Sequence, residues 1–234
     1  MLFDPLYILV IVATLLVSGG AQLYIRSTYG RWSRVANAAG LSGAQVAEYL
    51  RDHAQFGNRT GREAITAIKV SPGELSDHFD PRDRSLALSE AVATQPSVAS
   101  MAIAAHEVGH ALQVAEGSGL MQLRSVLVPA VSVGPGLAYL FIIGGIILNM
   151  TGLLTIGILL FGIAVLFAIL TLPVEIQASQ RALAMLDSTG VVTNQQDRDG
   201  AKAMLRAAAL TYLAGAIAAI LTLLYYLTLA RRSN

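Results

Sequence analysis

Ser97–Gln113, SVASMAIAAHEVGHALQ, is the stretch on which the reading of the chain turns. His106 and His110 are four residues apart, so on an α-helix they lie one turn apart on the same face. Two imidazoles at that spacing can hold one zinc ion, with Glu107 beside them as a general base. The surrounding Ala, Met, Ile, Val and Leu suit a helix, and Ser97 after Pro96 fits an N-cap. The chain has only four histidines, and two of them fall in this pattern.

Composition sets the surroundings. The 234 residues are 54% hydrophobic and only 13% charged, about half the charged share of a soluble domain. An integral membrane protein with a modest polar portion is expected. A net charge of +1 gives no electrostatic case for nucleic acid. With no cysteine there is neither a disulfide framework nor a thiolate zinc site, so His and carboxylate must hold any metal.

Upstream of the metal helix, Pro5 to Ile25 is an apolar run long enough to span a bilayer, without the basic region or cleavage site of a signal peptide. Polar residues concentrate from Arg26 to Thr94. Leu41–Ala54 reads as a short amphipathic helix capped by Ser42. Glu63–Val70, Leu75–Phe79 and Ser85–Ser89 read as three short strands, with turns at Ser71-Pro72-Gly73 and around Asp80-Pro81-Arg82-Asp83.

Downstream, Ser125–Leu148 and Gly152–Leu172 are two apolar runs of spanning length, joined by the polar tip Asn149-Met150-Thr151 as a hairpin. Pro173–Leu186 resumes a mixed pattern that Gly190 can end as a C-cap. Thr193 to Gly200 reads as a loop. Asp199 is a candidate cap for a last helix, Ala201 to Ala230, whose Thr211, Gly215 and Ala219 form a small-residue stripe suited to close helix packing. The expected division is an anchor at 1–25, a zincin-like catalytic portion at 26–124, a transmembrane hairpin at 125–172, a glutamate-bearing helix and loop at 173–200, and a C-terminal transmembrane helix at 201–234. The fold class is therefore mainly α and integral to the membrane, with about four transmembrane helices and a small α+β portion holding a three-stranded sheet.

A catalytic zinc site usually has three protein ligands and a water. The third ligand here is His53, His78 or a carboxylate beyond the HEVGH helix. Glu175 stands directly after Pro173, where the hairpin returns the chain, and is the one acidic residue between Glu116 and Asp187. An ordinary interfacial glutamate fits the same position.

Five motifs carry a resemblance: LSDHFDPR (Leu75–Arg82), LALSEAV (Leu86–Val92), AAHEVGHALQ (Ala104–Gln113), LPVEIQAS (Leu172–Ser179) and AAALTYLAG (Ala207–Gly215). In that order they resemble the successive motifs of the YugP-type neutral zinc metallopeptidases, bacterial membrane proteins, along nearly the whole chain. The resemblance implies one catalytic zinc ion held by His106, His110 and Glu175. The chain is also similar to the HtpX-like membrane proteases, whose motif has an aspartate where Ser179 stands here, which weakens any support Ser179 gives a ligand histidine.

The ligand set implies a zinc-dependent metalloendopeptidase with Glu107 as base. The expected substrates are membrane proteins or peptides near the bilayer, bound in extended form along an edge strand before the metal helix. Nothing in the sequence fixes an oligomeric state. His78, on the strand beside such a substrate, is a candidate oxyanion donor; packing in the sheet, orienting Asp77 or Asp80, or competing for zinc would equally account for it.

Two rival readings share these residues. A site-2-type intramembrane protease places its HExxH inside a spanning helix and takes an Asp from an LDG motif, which Leu186-Asp187 imitates. The polar residues of the metal helix make it a poor span. A zinc-binding scaffold or assembly factor without catalysis would have no need of Glu107. Fourteen of the 16 Lys and Arg lie between Arg26 and Arg124 or between Arg181 and Arg206. By the positive-inside tendency, the catalytic portion is expected on the cytoplasmic side of a bacterial inner membrane.

Overall fold

The structure, a computed structural model, describes residues 4–57 and 59–233. In chain order they form α1 (Pro5–Trp32), α2 (Gly43–His53), α3 (Gly61–Ala64), β1 (Ala67–Ser71), β2 (His78–Asp80), β3 (Ser85–Ser89), α4 (Glu90–Thr94), α5 (Val98–Ala115), α6 (Gly119–Ile147), α7 (Thr151–Ser188) and α8 (Gln195–Ser233). The protein is mostly helical, with a small three-stranded sheet, and α1, α6, α7 and α8 are each long and apolar enough to cross a membrane. The chain divides into two compact units.

One unit combines the chain up to Gln22 with Leu123–Pro173 and the chain from Leu210. Its core gathers Ala138 and Ile142 of α6, Leu154, Ile158, Phe161 and Val165 of α7, and Tyr225 and Tyr226 of α8. The α6–α7 hairpin turns within three residues, and Asn149 takes the left-handed conformation that asparagine tolerates (φ 54). The two arms close on glycines: a Cβ on Gly157 would lie 2.7 Å from the Ile142 backbone nitrogen. Of the small-residue stripe of α8, Ala219 packs against this core, whereas Gly215 is exposed and a Cβ there would meet nothing within 4 Å.

The other unit, Leu23–Gln122 with Val174–Ala209, carries the polar chemistry. Ser42 caps α2 in a reciprocal pair: its side chain accepts from Gln45 N–H, and the Gln45 side chain accepts from Ser42 N–H. Ser97 caps α5 by accepting from Ser100 N–H. The expected strand from Glu63 starts later, at Ala67. Thr60 and Glu63 form a second capping box that turns Gly61–Ala64 into one helical turn. The expected strand from Leu75 shortens to His78–Asp80, because Leu75 adopts φ 52 and cannot continue an extended run.

The sheet order is β1-β3-β2, with β1 parallel and β2 antiparallel to β3. Thus the strand nearest the metal helix in sequence, β3, is central and buried throughout, and β1 and β2 are the edges. Almost all of α5 is buried too, against α2, α4 and the sheet, its polar residues Ser100, His106, Glu107, His110 and Gln113 included. It is not among the four candidate spans.

Two expected boundaries disappear. Pro173 does not begin a new helix; α7 runs through it, since a helix extending far to both sides absorbs the loss of one backbone donor. The polar segment from Thr193 is helical from Gln195. Asn194, not Asp199, supplies the cap, its Oδ1 accepting from Asp197 N–H at 2.7 Å. Gly190 ends α7 with φ 73, as expected.

Candidate metal centre

His106 and His110 project from one face of α5, and Glu175 reaches them from α7. Their ligand atoms all lie within 4.8 Å of one another, and all three side chains are buried. The His106 Nε2 is 3.1 Å and the His110 Nε2 3.5 Å from the same Glu175 Oε2. Zinc bonds of about 2.0–2.1 Å in a tetrahedral shell set neighbouring ligand atoms about 3.3 Å apart. The observed separations bracket that value, and two imidazoles with one carboxylate are a zinc donor set, so the residues fit the metal.

The Nδ1 atoms face away from this centre. The His106 Nδ1 lies 3.2 Å from Ser179 Oγ, one helical turn beyond Glu175 on α7. Serine in place of aspartate therefore still reaches the ligand. The His110 Nδ1 lies 2.9 Å from Gln113 Oε1, and the Gln113 amide donates to the Val174 carbonyl at 2.9 Å. Sequence reasoning left Gln113 without a role, although it lies one turn beyond His110 on the same helix face.

The two helices meet at Gly109, between the histidines. A Cβ there would stand 2.5 Å from the Ala178 carbonyl oxygen, so only glycine permits this approach.

Glu107 follows His106 and is 7% exposed. Burial pushes its carboxyl up to about 7; the His106 imidazole opposes this, and the negative charges of Glu175 and Asp77 add to it. Asp77 turns inward and accepts from Ser89 N–H at 2.7 Å, and burial raises its carboxyl as well.

His78 is outside the three-ligand cluster. It is exposed on β2 with its Nδ1 2.8 Å from the Ser76 carbonyl, and it is not packed in the sheet. Asp77 is bonded by Ser89 and Asp80 by Arg82. His53 is exposed at the end of α2, stacked on Tyr49 at 4.1 Å. Asp187 pairs with Arg198 at 2.9 Å, and it too is outside the cluster.

A mainly α membrane protein with a buried cluster of two histidines from an HExxH helix and a glutamate from another helix is the class that fold and site define. The family model described as "Putative neutral zinc metallopeptidase" matches residues 7–231, and the chain belongs to that family. It is 37% identical over 223 residues to "Putative membrane protease YugP" of Bacillus subtilis (strain 168), covering 94% of this chain and 95% of that protein. No solved structure matches.

Proposed function

We propose that this chain is a membrane-bound zinc metalloendopeptidase. The observation that carries the reading is the convergence of both histidine Nε2 atoms on Glu175 Oε2, with the buried Glu107 carboxyl next in sequence to His106. His106, His110 and Glu175 would hold zinc, which lowers the pKa of a water and polarises a carbonyl.

Glu107 does the proton work. Its carboxylate takes a proton from the water whose oxygen attacks the peptide carbonyl carbon. It then gives that proton to the amine as the C–N bond breaks. Burial disfavours the charged form of this carboxyl and so raises its affinity for the proton it takes. Ser179 and Gln113 hold the imidazoles in place from behind.

The edge strand β2 offers its free side to an extended peptide. His78, exposed on that strand, would donate to the developing oxyanion. Membrane proteins or peptides near the bilayer would be the substrates, and the Lys and Arg distribution supports a catalytic portion in the cytoplasm of a bacterium. The enclosure of α5 by its own unit, outside the candidate spans, favours this over the site-2 type.

The test is cleavage of casein or a membrane substrate by purified protein, with and without a chelator. Chelator-sensitive cleavage supports the reading. Zinc binding without cleavage would leave a scaffold.

A further inference from the structure

Gln113 is completely buried, yet its amide has two partners on different segments: the His110 ring and the backbone carbonyl of Val174, the residue before Glu175. The chemistry of those partners fixes the amide's direction. A backbone carbonyl can only accept, so the Gln113 nitrogen must face Val174. The amide oxygen is then turned to His110, and an oxygen can only accept. The imidazole must answer with a proton on Nδ1, because leaving a buried amide oxygen unmatched would cost about 1–3 kcal/mol.

We infer that Gln113 is a positioning residue that selects the Nδ1–H tautomer of His110 and so keeps the Nε2 lone pair turned to the metal centre. The inference rests on the metal reading of His106, His110 and Glu175. His110 Nε2 and Glu175 Oε2 are then two acceptors facing one another at 3.5 Å, an arrangement that a cation between them relieves. His106 has no equivalent device. Its Nδ1 neighbour is the Ser179 hydroxyl, which donates or accepts with equal ease, so the tautomer choice falls to Gln113 at His110 alone.

Histidine-selective 15N NMR of the metal-free full-length protein at mildly alkaline pH tests this, combined with zinc affinity by chelator competition. With four histidines in the chain, single substitutions assign the spectrum. The wild type should show a protonated Nδ1 and a bare Nε2 at His110. Gln113→Leu should lose that preference and bind zinc about ten- to a hundredfold more weakly, with its thermal melt kept. Gln113→Glu, which still accepts from Nδ1 but no longer donates to Val174, should keep the tautomer and hold zinc as the wild type does.

A protonated Nε2 at His110 in the wild type would overturn the inference, as would wild-type zinc affinity in Gln113→Leu. If Gln113→Leu does not fold, Gln113→Glu decides: the tautomer kept but zinc lost would mean that the Val174 tether holds the site, against the proposal. A wild type with the expected tautomer that binds no zinc would instead overturn the metal reading, so the two failures are distinguishable.

Discussion

Gly109 and Ala178 set the distance between the two ligand-bearing helices: the α-carbon of one faces the carbonyl of the other so closely that a methyl group would come within 2.5 Å of the oxygen. The obstacle is backbone on α7, which cannot swing aside as a side chain can. Gly109→Ala should therefore push α5 from α7, at a cost of about 1–3 kcal/mol, and separate His106 and His110 from Glu175. Zinc content and the thermal melt, measured together, should both fall. A melt and metal content equal to the wild type would show that the helices can part without consequence.

The proposed role of Glu107 is that of a base and not of a ligand. Glu107→Gln should keep zinc by metal analysis while turnover drops by two or more orders of magnitude, on the order expected for removing a general base. Loss of metal alongside activity would make it a ligand instead.

The same residue gives the metal-free chain a pH dependence. Burial holds the Glu107 carboxyl at about 7, above its usual 4.5, so the folded chain keeps a proton that the unfolded chain releases. The stabilisation this gives is complete below pH 4.5 and is lost as pH rises through about 7. Denaturation midpoints of the chelated protein should fall over that window, and Glu107→Gln should flatten the fall. An unaltered slope in the variant would assign the dependence to other groups.

For His78→Ala, zinc and fold should be retained and turnover cut about a hundredfold, as when one oxyanion donor is removed. Its exposure on β2 makes a loss of stability unexpected. Unchanged turnover would end its catalytic role.

Arg34 and Asn194 belong to the same compact unit. Reporter fusions after each should therefore give the same answer, and the positive-inside tendency predicts cytoplasm for both. A periplasmic signal from either would reverse the orientation.

What the sequence makes legible here is what is local. Ser42 with Gln45, Ser97 before the metal helix, Asn149 at the hairpin tip and Gly190 after α7 are short-range signals, and each is where the pattern placed it. The His-x-x-x-His spacing is local as well, and it set the search for a third ligand. Roles that depend on a distant partner were hidden. Gln113 is explained by Val174, and Gly109 by Ala178. The parallel pairing of β1 with β3 likewise depends on a return of the chain that no turn signal announces. Asp199 looked like a cap because it is acidic before an apolar run; Asn194 won by lying where its oxygen reaches the Asp197 N–H.

The proposed ligands come from opposite sides of a long excursion: His106 and Glu175 are 69 residues apart, with α6 and the first part of α7 between them. A ribosome making this chain releases both histidines and Glu107 well before it reaches Glu175. Until the hairpin has been threaded and α7 has emerged past Ser179, the nascent protein has two of its three metal ligands and no complete catalytic site. If the chain is the protease proposed above, assembly in that order would keep it from cutting its neighbours, or itself, while it is still being made.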